Sequence, residues 1–235
     1  MKVVILAGGF GSRISFYSKK IPKPMIKIGN IPMLTHIMRI FKSYGFEEFI
    51  IAGGYKLSVI KRYYKNSREF RKINIVNTGI KTMTGGRLLK LKKILKKEKL
   101  FFLTYGDGVS NLDLKKLLDE HVKSNKIASV TAVRPPIKFG EMKIDKKNVV
   151  KSFVEKPQLN QGWINGGFFV FNNKIFDYIK NYNTVLERDP LQRLSDKKQL
   201  NAFLHDGYWK CMDNLKEKSE LEDIYKKNKS IWKIS

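Results

Sequence analysis

Residues 3–7, Val-Val-Ile-Leu-Ala, form an unbroken apolar run that ends at once in Gly8, Gly9 and Gly11, followed by Arg13. A strand that is apolar at every position, rather than at alternate ones, is buried on both faces, as in parallel sheets covered by helices on each side. The unit repeats along the chain. A helix is predicted from Pro32, with Leu34, Ile37, Met38 and Phe41 at helical spacing and Gly45 closing it. There follow a strand in 47–54, a helix around 59–64, a strand in 73–79, an amphipathic helix in 87–97 and a strand in 100–108. A further helix is expected to begin near Leu112, with Asn111 as its N-cap. Parallel neighbours need crossovers, so the pattern predicts an α/β fold with a mostly parallel sheet flanked by helices. Beyond Ile127 short strands with tight loops dominate, in 127–136, 141–157 and 166–171, which points to a more mixed second half. Helices are expected to return at 173–182, 186–195 and 213–227.

At 235 residues and 42% hydrophobic content, the chain can bury one sizeable core, and a single domain over 1–235 is expected. The single cysteine, Cys211, has no internal disulfide partner, and the opening apolar run is too short for a signal peptide or a bilayer span. The expectation is therefore a soluble protein of a reducing cytoplasm with no membrane partner. The net charge of +26 would suit a nucleic-acid partner. The lysines are spread from end to end, however, without an arginine-rich arm, an aromatic RNA-binding signature or zinc-ligand spacing. A basic nucleic-acid-binding protein is thus the alternative, and an enzyme that handles several phosphates tolerates the same field.

The glycine loop fits neither common phosphate motif. Five residues on from Gly8 stands Arg13 and from Gly9 Ile14, so there is no P-loop; a dinucleotide fingerprint lacks its third glycine, and no acidic residue precedes Glu47. What remains is a strand, a glycine turn and a basic segment, which suits a polyanion. Lys23 stands between Pro22 and Pro24, whose fixed φ angles present it from a stiff segment. A loop that is merely rigid accounts for the prolines equally well.

The strings ILAGGFGSR, IPKPM, NTGIKTMTGGRL, LTYGDGVSN, FVEKP, WINGGFFV and YWKCMDNLKEK occur in that order. Together they resemble the sugar-phosphate nucleotidyltransferase family, and the glucose-1-phosphate cytidylyltransferase branch in particular, over nearly the whole chain. The resemblance implies a Rossmann-like mixed sheet, with 1–126 as the nucleotide-binding part and 127–235 as the acceptor-binding part. It also implies transfer of CMP from CTP to a small phosphorylated acceptor with release of pyrophosphate, in the making of cell-surface polysaccharide and capsule, with Mg²⁺ as cofactor.

By that resemblance, Leu6, Ala7, Gly8, Gly9, Gly11 and Ser12 hold the nucleotide, Arg13 its β- and γ-phosphates, and Lys23 the charge that develops as pyrophosphate leaves. Thr82, Gly85 and Gly86 would read the base, while Arg87 would reach the ribose or cap locally. Asp107 and Asp213 would ligate the metal, since Mg²⁺ needs hard oxygen donors. Each has a plainer reading as well, Asp107 as turn chemistry and Asp213 as the N-cap of the last helix. Glu155 and Lys156 would bind the acceptor, Lys156 at its phosphate, with Gly140, Trp163, Asn165 and Gly166 in the same region. His36, His121 and His205 lack ligand spacing, and Cys211 lacks a partner base, so structural roles are expected for all four.

The chain departs from the glucose-1-phosphate enzymes at 65–77, which is shorter than in that branch; an oligomer contact or part of the acceptor pocket would be lost there. A related group of capsule-pathway cytidylyltransferases, similar in its motifs, uses phosphorylated glutamine as acceptor. Both acceptors stay open at this point, as does a non-catalytic nucleotide sensor of the same fold, although the presence of both proposed carboxylates argues against the sensor.

Overall fold

The computed structural model describes residues 1–135, 141–146, 148–155, 162–227 and 231–232. β1 (Lys2–Ala7) is the spine. Its Val3, Ile5 and Ala7 enter one hydrophobic cluster while Val4 and Leu6 enter another on the opposite face. Period-two alternation with both faces apolar is why the run reads as continuously hydrophobic. After β1 come a 3-10 turn (Ser12–Ile14), α1 (Ser15–Ser18), a second 3-10 turn (Lys23–Met25), β2 (Lys27–Ile28), β3 (Ile31–Pro32) and α2 (Met33–Ser43). Pro32 occupies the cap position ahead of α2, one place earlier than expected, and Gly45 ends the helix at φ +84° with its amide bonded to the Lys42 carbonyl. β4 (Glu48–Gly53), α3 (Leu57–Tyr64) and β5 (Lys72–Asn77) complete the next crossovers.

The predicted amphipathic helix is two helices, α4 (Thr84–Lys90) and α5 (Lys92–Leu95), joined at Leu91. Leu88, Leu91 and Leu95 nevertheless all point into one core, as their spacing requires. β6 (Leu100–Tyr105) divides Phe102 from Phe101 and Leu103 between the two clusters, and β7 (Gly108–Ser110) follows a tight turn. α6 (Leu114–Ser124) starts later than expected, because Asp113 rather than Asn111 caps it: one Asp113 oxygen accepts from the Lys115 and Lys116 amides, each at 3.0 Å. The Asn111 amide instead bonds to the Tyr208 carbonyl.

The second half supplies β8 (Ala128–Val133), a separate antiparallel hairpin of β9 (Glu141–Ile144) and β10 (Val150–Val154), and the long β11 (Ile164–Asn172). Where a helix was expected at 173–182 there is a 3-10 segment, Asn173–Tyr178. α7 (Asp189–Asp196), β12 (Leu200–His205), β13 (Trp209–Cys211) and α8 (Leu215–Lys227) complete the chain. β12 was not anticipated: it is an edge strand, with Leu204 exposed, and its apolar pattern is correspondingly weak.

The main sheet has the order β12-β8-β11-β6-β1-β4-β5. The pairs β1–β4, β1–β6, β4–β5 and β8–β12 are parallel, and β11 runs antiparallel to both its neighbours. Strands from both halves thus form one continuous sheet and one domain. β1 and β6, adjacent and parallel, discharge their loops at the same edge, where such sheets hold ligands.

Two glycines of the TMTGGRL stretch answer to packing. A Cβ on Gly86 would fall 2.0 Å from the Tyr182 carbonyl oxygen, and one on Gly85 2.9 Å from that of Thr184. At Gly9, by contrast, nothing lies within 4 Å. We expect Gly86→Ala to lower the free energy of urea unfolding by about 1–3 kcal/mol, and Gly9→Ala to change it by no more than about 0.5 kcal/mol.

Candidate active site

The site is assembled by a short ladder. β7 pairs antiparallel with β13, Cys211 opposite Gly108, and the Met212 amide donates to the Asp107 carbonyl at 2.9 Å. That register brings Asp213 alongside Asp107 although 105 residues lie between them in the sequence. The cap of α8 is Asn214 rather than Asp213: the Asn214 side chain accepts from the Glu217 amide at 2.9 Å, while Glu217 Oε2 accepts from the Asp213 amide at 2.6 Å. The Asp213 carboxylate is thereby left to face the loop after β1.

Lys23 Nζ donates to Asp107 Oδ2 at 2.5 Å and to Asp213 Oδ1 at 2.6 Å, and Arg13 Nη1 donates to Asp213 Oδ2 at 2.6 Å. Two carboxylates that share one nitrogen are within reach of a single ion. Burial pulls the Lys23 ammonium toward neutrality, but Asp107 and Asp213 outweigh it and hold its pKa above the ordinary 10.5. The two cations differ in freedom: the Lys23 side chain is 10% exposed and that of Arg13 73%. Lys23 lies in the Pro22–Pro24 turn, and the Pro24 ring sits so close under Gly106 that a Cβ there would fall 2.8 Å from it.

The glycine loop is braced from below by Arg87. Its guanidinium is buried and donates to the carbonyls of Gly8 (2.8 Å), Gly79 (2.7 Å) and Ile80 (3.3 Å) and to the Thr78 hydroxyl (2.7 Å). Arg87 thus bonds to the loop and to residues 78–80 rather than capping its own helix, while its side chain still forms part of the cavity lining. It also explains Gly8, where a Cβ would fall 2.0 Å from the guanidinium. Gly11 takes φ +64°, and its carbonyl accepts from the Ile14 amide and the Ser18 hydroxyl, each at 3.0 Å, which turns the chain so that Ser12 and Arg13 follow at the cavity edge.

A cavity of about 890 Å³ opens above this loop. Leu6, Ala7, Gly8, Gly9, Gly11, Ser12, Arg13, Lys23, Thr82, Asp107, Asn165, Gly166 and Asp213 line it. Gly85 and Gly86 are not among the lining residues; on the side where a Cβ would stand they pack against residues 182–186. Glu155 stands exposed after β10, and Trp163 stacks on the Arg134 guanidinium at 4.0 Å; neither lines the cavity. Gly140 and Lys156 lie outside the described residues.

The cavity also contains groups that sequence reasoning missed. Tyr105, two residues before Asp107, donates its hydroxyl to Glu187 Oε1, and Thr84 donates to Glu187 Oε2 at 2.6 Å. Trp209 Nε1 donates to the Gly166 carbonyl at 2.7 Å and so pins the start of β11. Tyr105 stands inside the LTYGDGVSN string, which marks it; Glu187 carries no local signal.

Burial, with Asp213, Glu217 and Asp107 adding to it, pushes the Cys211 thiol up to about 12. Its sulfur, Asp213 and Glu217 cluster closely enough to suggest metal ligands, but a protonated thiol and a Glu217 oxygen bonded to a backbone amide make a poorer donor set than Asp107 with Asp213. The histidines are structural. His36 bonds the Ile28 carbonyl, His205 lies between the Ser110 hydroxyl and the Tyr208 carbonyl, and His121 pairs with Ser129, with burial lowering its pKa to about 4. Among the described residues, no helix is long and apolar enough to cross a membrane.

Known proteins resemble this chain in sequence and in fold. Residues 2–219 match the family model described as nucleotidyl transferase. The chain is 41% identical to the glucose-1-phosphate cytidylyltransferase of Salmonella typhimurium, over 99% of each chain. It is 32% identical to the D-glycero-alpha-D-manno-heptose 1-phosphate guanylyltransferase of Campylobacter jejuni, over 89% of this chain and 93% of that one. Among solved structures, HddC from Yersinia pseudotuberculosis complexed with GMP-PN superposes with a TM-score of 0.75 at 26% identity, covering 95% of this chain and 99% of that one. The chain belongs to the nucleotidyl transferase family and is a nucleotidyltransferase.

Proposed function

We propose that this nucleotidyltransferase moves CMP from CTP onto the phosphate of a sugar 1-phosphate, glucose-1-phosphate in the first instance, and releases pyrophosphate. The observation that carries the reading is the pair Asp107 and Asp213, held by one ammonium beside the glycine loop. The choice of cytidine and glucose rests on the named Salmonella relative. Asp107 and Asp213 offer adjacent hard oxygen donors at an open cavity, a set that fits Mg²⁺, which when bound supplies charge neutralisation at the triphosphate.

The chain's own residues then have separable tasks. The open amides around Gly9 and Gly11 take the nucleotide, and Arg13, exposed and on a short tether, moves from Asp213 to the β- and γ-phosphates. An oxygen of the acceptor phosphate attacks the α-phosphorus, the bond from that phosphorus to the bridging oxygen breaks, and the electron pair leaves with pyrophosphate. Lys23 stabilises that departing charge from a position fixed before the reaction begins. Protein groups need only position and neutralise, as in other phosphoryl-type transfers.

Pyrophosphate release should be measured for CTP, UTP, GTP and dTTP against glucose-1-phosphate and glutamine phosphate, with CTP and the sugar phosphate expected to win. Preference for glutamine phosphate would keep the cytidylyl transfer and replace the acceptor. Asp107→Ala should lower turnover by about 10²–10³-fold while circular dichroism stays native, and chelation of divalent ions should abolish turnover until Mg²⁺ is restored. Normal turnover by Asp107→Ala would refute the site. A nucleic-acid binder would instead show association that weakens steeply with salt and ignores that substitution.

The Lys23 bridge has its own signature in stability. Because its pKa is raised in the folded state, its contribution is complete below the ordinary value of 10.5 and is lost as pH climbs through the higher native value. The difference in thermal midpoint between wild type and Lys23→Met should therefore be flat around neutral pH and shrink only in strong alkali; a difference that vanishes near neutrality would rule out the bridge.

A further inference from the structure

One cavity carboxylate belongs to none of the phosphate-handling parts. Glu187 lies just before α7 and lines the cavity, with Oε1 taking the Tyr105 hydroxyl and Oε2 the Thr84 hydroxyl at 2.6 Å. Both neighbours can only donate to it. The Thr84 oxygen already accepts from the Leu186 amide at 2.9 Å, so its one proton goes to Glu187. Burial, then the nearby Glu187 charge, keeps the Tyr105 hydroxyl protonated well above its ordinary pKa. An ionised carboxylate accepts about four hydrogen bonds, so two hydroxyls leave acceptor capacity turned to the cavity.

A negative group with spare acceptors repels phosphate and seeks an uncharged donor. On the reading of this chain as a sugar-phosphate nucleotidyltransferase, on which this step rests, the abundant uncharged donors of the substrates are sugar hydroxyls. Tyr105 connects Glu187 to the strand that ends at Asp107, and its ring lies so close to Gly167 that a Cβ there would fall 2.6 Å from it. Thr84 connects it to the first turn of α4. We infer that Glu187 is a recognition residue, oriented by Tyr105 and Thr84, that accepts a hydrogen bond from a sugar hydroxyl, either of the nucleotide's ribose or of the acceptor ring. The expected acceptor carboxylate, Glu155, does not line the cavity.

The test is a substrate-deletion cycle on Glu187→Gln, with KM and kcat read for CTP, its 2′- and 3′-deoxy analogues, glucose-1-phosphate and its 2-, 3-, 4- and 6-deoxy analogues. With the full pair, Glu187→Gln should raise one KM by about 10- to 100-fold with a smaller effect on kcat. That penalty should disappear for one analogue only: with one deoxy-CTP if the partner is the ribose, with one deoxy-sugar phosphate if it is the acceptor. An equal penalty on every analogue would make Glu187 a mere strut between Tyr105 and Thr84 and overturn the inference, as would no penalty at all. Should Glu187→Gln fail to fold, the same cycle on Tyr105→Phe, which removes one orienting bond, decides by the same outcomes. A wild type that accepts no sugar phosphate refutes the proposed function itself; an active wild type with an indifferent Glu187→Gln refutes only this inference.

Discussion

The structure turns on one ammonium held between two carboxylates. Asp107 and Asp213 each lie within hydrogen-bond distance of Lys23 Nζ, so without it two like charges would face each other in a partly desolvated corner. Three separate pieces of chain must agree for this to happen. The proline-flanked turn sets the lysine, the end of β6 sets Asp107, and the three-residue ladder of β7 with β13 sets Asp213. The ladder is short and half-buried on the β13 side, so the charge cluster and the strand pairing support each other.

The glycine loop shows how a motif can be right for more than one reason. Glycines there suggest close approach of a ligand to the backbone, and Gly9, with open space around it, satisfies that physics. Gly8 answers to a different constraint, since the buried Arg87 guanidinium occupies the volume where its Cβ would be. A buried arginine with several carbonyl partners is costly to desolvate and costly to remove, and here it ties the loop after β1 to residues 78–80 and 53. The cavity-lining loop is thus held from behind rather than left as a mobile hinge.

The parallel half of the fold was legible because β1, β4 and β6 are buried on both faces, and full burial writes an unambiguous apolar run. Elements whose residues are divided between core and solvent were harder to read. β12 lies at the sheet edge, and 173–178 winds as a 3-10 segment although buried Ile175, Tyr178 and Ile179 keep the i, i+3, i+4 spacing of an α-helix, so the apolar pattern alone does not tell the two windings apart. At two helix starts the capping side chain is a neighbour of the expected one, Asp113 rather than Asn111 and Asn214 rather than Asp213; sequence places a polar side chain near a helix start but not which neighbour turns its oxygen inward. In the site, residues inside ordered motifs were identifiable, whereas Glu187 was not, since only the packing of residues 182–187 against α4 brings it to Thr84.

The charge of the chain acquires meaning when divided between surface and cavity. A net +26 spread over the exterior raises the local concentration of any polyanion and speeds its arrival. Inside the cavity the balance is close: Arg13, Lys23, Lys81 and Arg87 stand against Asp107, Glu187 and Asp213. Arg13 and Lys23 are already engaged with carboxylates, so a triphosphate arriving alone would have to strip them from their partners and leave Asp107 and Asp213 facing each other. In the reaction proposed, Asp107 and Asp213 would hold a divalent ion that arrived with the triphosphate, and Arg13 and Lys23 would then be released to the phosphates. Long-range attraction is indifferent to which polyanion comes, so on the proposed reaction selectivity would fall to the contacts made at Lys23 and Arg13.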